Sequence, residues 1–353
     1  MRVLVTGAAG FIGSAVVRAL VDGGDEVTAV DLMLARAHGG SDAPTGVHRL
    51  DVRDATSWGH LLRGVDVVVH QAALVGLGAR VTDLPEYASH NDVGTAALLA
   101  AMHEAGVGRM VLASSMVVYG EGRYVCAEHG FQSPPARPRD ALAAGEFEVS
   151  CTRCGSPLDW RPVDEGARLE PRTSYAASKV AQEHYASAWT RQAGGSAIAL
   201  RYHNVYGPGM PRDTPYSGVA AMFRSATARG EPPQVFEDGR QMRDFVHVSD
   251  VAAANLLALE AVVGSPPGRW SPYNVCSGQP VSIGEVASYV AEHSGLRPVV
   301  TGGYRLGDVR HVVASPRLAA AELGFRARVG PAEGLVRFAG DPLREATSPA
   351  RRQ

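Results

Sequence analysis

The fold is decided near the start of the chain by Arg2-Val3-Leu4-Val5-Thr6-Gly7-Ala8-Ala9-Gly10-Phe11-Ile12-Gly13. Residues 2–6 predict a short apolar strand, and glycines at three-residue spacing lead into a helical pattern over residues 11–20. A glycine motif on its own often marks only a tight turn. Here the preceding strand and the following helix indicate a dinucleotide-phosphate site, since glycines let the backbone approach a pyrophosphate and a helix N-terminus offers free N–H groups.

The second predicted strand, residues 26–31, ends in an acid that bears on the choice of cofactor. A carboxylate at Asp31 can accept hydrogen bonds from both hydroxyls of an adenosine ribose and would repel a 2′-phosphate. Arg36 has the charge to meet a 2′-phosphate, but it lies five residues into a loop and is interpreted as a solvated arginine. The sequence therefore predicts NAD rather than NADP.

Lys179 is the only lysine of a chain in which lysines and arginines together number 34. It follows Tyr175 by four residues, so the two side chains share a face if this stretch is helical. Arginine supplies a surface charge equally well, whereas a compact ammonium can lie beside a ring and a ribose and lower the pKa of a phenol. The two residues are interpreted as a proton-transfer pair.

Further motifs follow in order along the chain. They are Asp51-Val52-Arg53-Asp54, His70-Gln71-Ala72-Ala73, Ser114-Ser115-Met116-Val117-Val118-Tyr119-Gly120, Arg201-Tyr202-His203-Asn204-Val205-Tyr206-Gly207-Pro208-Gly209, Arg243-Asp244-Phe245-Val246-His247-Val248 and Arg305-Leu306-Gly307-Asp308. With them the chain, from residue 2 to about residue 335, resembles the extended short-chain dehydrogenase/reductase superfamily, in its NAD-dependent sugar-nucleotide epimerase/dehydratase branch. Residues 91–95, 236–241 and 304–311 are most similar to dTDP-L-rhamnose 4-epimerase-like proteins.

The resemblance implies a catalytic set of Ser115, Tyr175 and Lys179. Tyr175 would be the general base that takes a proton from a sugar hydroxyl, Lys179 would hold the nicotinamide ribose, and Ser115 would orient the reacting oxygen. The implied NAD-binding residues are Gly7, Gly10, Phe11, Ile12, Gly13, Asp31, Asp51, Val52, Ala72, Ala113, Tyr175 and Lys179. The implied substrate-binding residues are Asn204, Arg243 and Arg305, although any single arginine in so arginine-rich a chain is otherwise a solvated charge.

The same resemblance implies epimerisation of a nucleoside-diphosphate sugar, at C4, through a transient 4-keto intermediate. In the related 4,6-dehydratases an Asp and a Glu follow the catalytic Ser or Thr, and here these positions are Met116 and Val117, which cannot move protons. Two alternatives remain open: an NAD(P)H-dependent 4-ketosugar reductase or other nucleotide-sugar dehydrogenase or dehydratase, and a regulatory protein that binds NAD without catalysis.

An α/β fold is expected, with a Rossmann-type doubly wound parallel sheet and a smaller C-terminal substrate lobe. Strand cores are predicted at residues 2–6, 26–31, 66–70, 109–114 and 196–201. The predicted domains are an NAD-binding domain over residues 1–205, a substrate lobe over 206–343 that interleaves with the sheet, and a disordered tail over 344–353. Long helices are predicted at 87–105 and 174–191. The resemblance implies that they pair with a second subunit in a four-helix homodimer interface; otherwise they only cover the sheet.

The composition suits a cytoplasmic enzyme. The net charge is −2 with no basic block, so nucleic acid is an unexpected partner. No apolar run approaches the roughly 20 residues that span a bilayer, and the chain opens on a strand without a charged and apolar leader. The four cysteines suit a reducing compartment better than a disulfide scaffold.

An insert over residues 122–163 departs from the superfamily layout. Cys126 and His129 are followed by Cys151 and Cys154, two pairs of ligands with two residues between the members of each. A tetrahedral zinc site needs four nitrogen or sulfur ligands, and a closed site of this kind is structural. The sequence predicts a zinc-ribbon-like insert; the alternative is a loop with reduced cysteines. Cys276 lies apart in an apolar strand and is expected in the core.

Overall fold

The computed structural model describes residues 1–38, 41–76, 78, 80–212 and 218–344, except for the side chain of Arg36. The interpretation of Arg36 and the predicted tail beyond Arg344 lie outside the described residues. Within them, no helix is at once long enough and apolar enough to cross a membrane.

The described residues form fifteen strands. They are β1 (Arg2–Thr6), β2 (Glu26–Asp31), β3 (Val47–Arg49), β4 (Val67–His70), β5 (Arg109–Ser115), β6 (Arg123–Cys126), β7 (Gly130–Gln132), β8 (Asp159–Arg161), β9 (Ser196–Tyr202), β10 (Asn204–Tyr206), β11 (Gln234–Val235), β12 (Met242–His247), β13 (Trp270–Val275), β14 (Pro280–Ser282) and β15 (Val299–Val300).

Eleven α-helices lie in the same part of the chain. They are α1 (Phe11–Asp22), α2 (Ala35–His38), α3 (Leu84–Tyr87), α4 (Gly94–Glu104), α5 (Arg139–Ala143), α6 (Ser174–Ala193), α7 (Val219–Ala228), α8 (Val248–Val263), α9 (Ile283–Ala291), α10 (Arg317–Glu322) and α11 (Pro331–Phe338). A π-helical segment, Ala88–Val93, joins α3 to α4, and a 3-10 segment, Val52–Leu62, precedes β4.

Seven parallel strands form the central sheet in the order β13-β9-β5-β4-β1-β2-β3. The strands are apolar because both faces of the sheet are covered. Helices α1 and α8 pack on one face around Val16, Leu20 and Val251, and helices α4 and α6 pack on the other around Met102 and Trp189. The expected Rossmann-type α/β fold is confirmed.

The five predicted strand cores correspond to β1, β2, β4, β5 and β9. Two strands of the central sheet are not among these five cores. Strand β3 has only three residues, and β13 contains Pro272, which the sheet tolerates because β13 is an edge strand. The sequence placed β13 in the substrate lobe, and the structure returns it to the central sheet beside β9.

The smaller lobe lies beside the carboxyl edge of the sheet. Strands β10, β12 and β14 form its three-stranded sheet, and helices α7, α9 and α11 pack around an aromatic core that includes Tyr206, Phe245 and Phe338. The insert has its own antiparallel sheet in the order β7-β6-β8. Its apolar cluster is small and consists of Tyr124, Cys126, Val149, Cys151 and Leu158, with Trp160 against it.

Candidate active site and metal cluster

A cavity of about 390 Å³ opens at the carboxyl ends of the central strands. It spans the crevice between β1 and β4, where the strand order reverses and where ligands bind in doubly wound sheets. The predicted site residues that line it are Gly7, Gly10, Phe11, Ile12, Gly13, Asp31, Asp51, Val52, Ala72, Ala113, Ser115, Tyr175, Lys179 and Asn204. Arg243 and Arg305 lie outside its lining.

The glycine-rich turn gives the cavity a backbone wall. Gly7 has φ +67°, and a Cβ there would lie 2.6 Å from the backbone nitrogen of Ala72, so only glycine fits without strain. Gly10 begins helix α1 without a side-chain cap, and Phe11 and Ile12 of the first turn line the cavity. Uncapped N–H groups at a helix N-terminus suit a pyrophosphate, so these residues fit a dinucleotide.

Asp31 ends β2 at the rim of the cavity. Its carboxylate accepts hydrogen bonds from the backbone N–H groups of Ala9 at 3.0 Å and Met33 at 2.8 Å, and Nε2 of His38 lies 3.3 Å away. Burial alone would raise the pKa of Asp31, but these bonds outweigh it and lower the pKa. Asp31 therefore presents a negative charge, which suits ribose hydroxyls and opposes a 2′-phosphate.

Asp51 and Val52 occupy the neighbouring stretch of wall. The Asp51 carboxylate accepts the backbone N–H of Arg53 at 2.9 Å and pairs with its guanidinium, which fixes the start of the 3-10 segment. Val52 packs closely over Gly94 of α4, where a Cβ would lie 2.9 Å from its Cγ2. The pair thus forms one anchored polar group and one apolar side chain beside the cavity.

Helix α6 carries the predicted proton-transfer pair. The Thr173 hydroxyl caps the helix by accepting the N–H of Ala176, so Tyr175 lies in the first turn and Lys179 one turn further. Nζ of Lys179 lies 6.0 Å from the centroid of the Tyr175 ring and donates to the carbonyl oxygen of Ala113 at 3.0 Å. Ser115 ends the adjacent strand β5, so helix and strand together bring the catalytic set to one place.

Burial shifts the pKa values of both Tyr175 and Lys179. Burial lowers the pKa of Lys179 to about 7, against an opposing effect of Glu183. Burial raises the pKa of the Tyr175 phenol, and the Ser115 hydroxyl opposes that rise. The pKa of the buried phenol is therefore above its ordinary value, because desolvation dominates. That Lys179 lowers this pKa stays a prediction.

The sequence analysis did not identify a buried ion pair that lies one helical turn beyond Lys179. Glu183 pairs with Arg201 at 2.7 Å and also accepts the hydroxyl of Ser114. Arg201 in turn donates to the hydroxyl of Tyr119 at 2.9 Å. Glu183 lies four residues after Lys179 on α6, and this spacing was the signal available.

Apolar side chains occupy the two positions after Ser115. The Sδ of Met116 lies 3.5 Å from Nδ2 of Asn204, so Met116 is next to a predicted substrate-binding residue. Val117 packs with Leu74 and Tyr175. No proton donor or acceptor is present at either position.

The predicted phosphate-binding residues are divided between two places. Asn204 is at the cavity and donates to the carbonyl oxygen of Asp244 at 3.0 Å, in the pair of strands β10 and β12. Arg243 is on β12, where its guanidinium donates to the carbonyl oxygens of Val309 and Arg310. Arg305 stacks on Phe236, with Cζ 5.0 Å from the ring centroid.

The four predicted metal ligands come together at the edge of the insert. Their ligand atoms all lie within 4.8 Å of one another. Sγ of Cys126 is 3.7 Å from Sγ of Cys154 and 3.5 Å from Nδ1 of His129, which is 3.6 Å from Sγ of Cys151. Zinc–ligand bonds of about 2.3 Å to sulfur and about 2.0 Å to nitrogen give tetrahedral edges of about 3.5 to 3.8 Å, so this donor set fits zinc. Cys276 is buried in another cluster, as expected.

Arg344 is a second residue that the sequence did not assign to the site. It was predicted as the first residue of a disordered tail, but its guanidinium donates to the carbonyl oxygen of Ala9 at 2.9 Å and lines the cavity. Its backbone pairs with Met210 and Arg212. The described end of the chain thus lies against the glycine-rich turn.

Comparisons with known proteins agree with this geometry. The sequence profile of the NAD dependent epimerase/dehydratase family matches residues 3–145 and 149–276. A dTDP-L-rhamnose 4-epimerase from Burkholderia thailandensis is 34% identical over 339 residues, or 92% of this chain and 90% of that protein. The structure of MoeE5 in complex with UDP-glucuronic acid and NAD is 34% identical, with a TM-score of 0.74 over 96% of this chain and 98% of that chain.

A third relative is the UDP-glucose 4-epimerase of Thermus thermophilus in complex with NAD. It is 32% identical, with a TM-score of 0.74 over 96% of this chain and 99% of that chain. The fold and the cavity define an enzyme built around a dinucleotide cofactor. The chain belongs to the NAD dependent epimerase/dehydratase family.

Proposed function

We propose that the protein is an NAD-dependent epimerase that inverts C4 of a nucleoside-diphosphate sugar. The observation that carries the proposal is the intact set of Ser115, Tyr175 and Lys179 at the cofactor cavity, followed by Met116 and Val117. The relatives named as dTDP-L-rhamnose and UDP-glucose 4-epimerases support the substrate class. An intact catalytic set also distinguishes the protein from a regulator that only binds NAD.

The chain's own residues account for the proton chemistry. Tyr175 takes the proton of the C4 hydroxyl and later returns it, while the Ser115 hydroxyl orients the reacting oxygen. Bound NAD would supply the acceptor and donor of the hydride at the same carbon. Lys179 would hold the nicotinamide ribose, and its positive charge would favour the phenolate. The resulting 4-ketosugar turns over in the site and is reduced on its other face, so C4 is inverted and no net redox change remains.

Met116 and Val117 separate epimerisation from dehydration. Loss of water from the sugar needs an acid and a base beside the reacting carbons, and both positions after Ser115 are filled by apolar side chains packed against Asn204 and Tyr175. The site can therefore move the C4 proton but has no group at these positions to expel a hydroxyl.

We expect the product to have the mass of the substrate. The purified protein would be incubated with UDP-glucose, UDP-galactose, UDP-glucuronic acid and dTDP-L-rhamnose, without added cofactor, and the products analysed by mass spectrometry and NMR. In deuterated water the product should carry no deuterium on carbon, because the hydride comes back from the cofactor rather than from solvent.

Two outcomes would contradict this assignment. A product lighter by one water molecule would show dehydration despite Met116 and Val117. A reaction that consumes added NADH or NADPH in proportion to product would show a reductase. Inversion of C4 by protein that retains its NAD, without added reductant, would support the proposed epimerase.

Arg243 and Arg305 are proposed, with Asn204, to bind the substrate diphosphate. Planar guanidinium groups suit phosphate oxygens, and Arg243 lies on β12, a strand of the smaller lobe. The stacking of Arg305 on Phe236 places a guanidinium and an aromatic ring together. Such a pair offers contacts to a phosphate and to a nucleoside base.

We further propose that Cys126, His129, Cys151 and Cys154 bind one structural zinc ion. The set supplies four nitrogen and sulfur ligands at tetrahedral spacing, with no position left for water. The apolar cluster of the insert has only five buried members, so it needs a further source of order.

A cytoplasmic location stays a prediction from the composition.

We propose a homodimer through helices α4 and α6, because apolar residues are exposed on these helices and on the segments next to them. Val81, Leu84, Val93 and Tyr185 are all exposed there, on the segments around α3, α4 and α6. The segments that carry them are neighbours in the fold, and exposed apolar side chains that form a patch mark protein interfaces.

Val93→Glu combined with Tyr185→Glu is expected to convert the dimer into a monomer. Two carboxylates in the centre of an apolar interface would have to lose their water without a partner. Light scattering coupled to gel filtration gives the mass directly. Met222→Glu places the same charge on an exposed apolar residue of α7 and should leave the dimer intact. A wild-type protein that is monomeric at micromolar concentration would contradict the proposal.

A further inference from the structure

The insert packs against the chain segment that follows Arg305. The hydroxyl of Tyr124 accepts the backbone N–H of His311 at 3.1 Å, and a Cβ at Gly122 would collide with the carbonyl oxygen of His311. The ring centroid of Trp160 lies 6.3 Å from that of His311. Three parts of the insert therefore meet one residue of this segment.

Glu148 connects the insert to the same segment by charge. Its carboxylate binds the guanidinium of Arg310 and lies 3.1 Å from Nε2 of His311. The other ring nitrogen of His311, Nδ1, accepts the backbone N–H of Met242 at 3.1 Å. Both contacts are satisfied when the proton of His311 is on Nε2 and is donated to Glu148. The imidazole of His311 therefore connects Glu148 to the backbone of Met242, the residue before Arg243.

Arg243 takes its orientation from this segment as well. Its guanidinium donates to the carbonyl oxygens of Val309 at 2.6 Å, Arg310 at 2.9 Å and Met242 at 2.8 Å. Three fixed acceptors restrain a side chain that otherwise has many rotamers. A shift of residues 309–311 would therefore shift the guanidinium.

Buried ion pairs make the region move as a unit. Arg310 is fully buried and pairs with Glu237 at 2.9 Å and with Asp238 at 2.8 Å. Arg137 of the insert pairs with Glu237 at 2.8 Å and donates to the carbonyl oxygen of Asp308 at 2.8 Å. Arg137, Glu237 and Arg310 are buried, so moving one of them would remove part of the compensation of a buried charge, which is costly.

We propose that Glu148 is a positioning residue for binding of the nucleoside diphosphate, because it holds Arg310 and His311 so that Arg243 faces the phosphates. The proposal rests on the proposed function, in which Arg243 binds the diphosphate. Val149, next to Glu148, is buried with Cys126 and Cys151 in the cluster of the insert. The cysteine cluster thereby sets the place of Glu148, and an insert outside the cofactor cavity tunes substrate affinity.

The test compares Glu148→Ala with Glu148→Gln and Glu146→Ala in the NAD-bound enzyme. Glu146 is an exposed glutamate two residues earlier, so its replacement is a matched control for the loss of charge. Binding of UDP and dTDP would be measured by calorimetry, and KM and kcat with each sugar nucleotide that the wild type converts. Melting temperature and bound NAD report on folding.

Glu148→Ala should raise the Kd of UDP or dTDP and the KM about tenfold, with kcat and bound NAD unchanged. Glu148→Gln keeps an acceptor oxygen and the size of the side chain, so its Kd should lie between wild type and Glu148→Ala. Glu146→Ala should behave as wild type. A chelator that removes the metal should weaken binding in the wild type and much less in Glu148→Ala, since both changes act through the same residues.

Equal Kd values for wild type and both Glu148 variants would overturn the proposal, as would a lowered kcat with unchanged KM. If the wild type binds UDP or dTDP but converts no sugar nucleotide, the proposed epimerase is wrong while the binding comparison still decides the role of Glu148. A wild type that binds neither nucleotide overturns the inference itself.

Discussion

Tyr175→Phe is expected to lower kcat by about a thousandfold, while the enzyme keeps its NAD. In the proposed mechanism the phenol exchanges a proton with the C4 hydroxyl, and phenylalanine would retain the packing of Tyr175 with Leu74 and Tyr87. Loss of turnover would therefore reflect lost proton transfer rather than lost folding. Initial rates and the NAD released on denaturation measure the two effects separately.

Lys179→Arg should impair the enzyme almost as strongly, although it keeps the charge. Lys179 is buried, and its ammonium fits between α6 and the carbonyl oxygen of Ala113. A guanidinium is larger and planar, and it would enter a region where Arg201 already pairs with Glu183. We expect a loss of about a hundredfold in kcat, together with weaker retention of NAD.

Tyr185→Phe is the matched control for the tyrosine change. Tyr185 is on the same helix but is exposed on its outer side, so removing its hydroxyl should leave kcat within about twofold. Near-normal activity of Lys179→Arg would contradict the argument that the chain keeps one lysine because arginine cannot replace its compact ammonium at this position. Near-normal activity of Tyr175→Phe would remove the proposed base.

The sequence predicted those features that depend on residues close together in the chain. The strand and glycine turn of residues 2–13, the acid at the end of β2 and the four-residue spacing of Tyr175 and Lys179 are all local patterns, and all three are found at the cavity. Local spacing sets backbone geometry directly, which is why such patterns are readable without a structure.

Features that depend on distant contacts were not predictable. Glu148 meets His311 across 163 positions of the chain, and no local pattern connects the two residues. The raised pKa of Tyr175 was not predictable for a related reason. The lysine one turn away was visible in the sequence, but the burial that raises the pKa comes from neighbours such as Leu74 and Tyr87.

Cys151→Ser is expected to abolish metal binding and to destabilise the insert. Purified wild-type protein should contain about one zinc ion per chain, and the variant close to none, because a tetrahedral site with three remaining ligands binds far more weakly. Metal affinity in such sites contributes directly to folding, so the melting temperature should fall by on the order of 10 °C. Elemental analysis and thermal unfolding provide the measurements.

Limited proteolysis would locate the damage. Cleavage should begin within residues 122–163, while bound NAD stays near the wild-type amount, since none of the four ligands lines the cofactor cavity. Cys276→Ser is the matched control, because it makes the same change at a buried cysteine in another cluster and should keep the zinc. The zinc site would be contradicted if wild-type protein contained no metal and its Cys126, Cys151 and Cys154 reacted freely with thiol reagents. The insert would then be a loop without a metal. The proposed epimerase activity does not depend on this result.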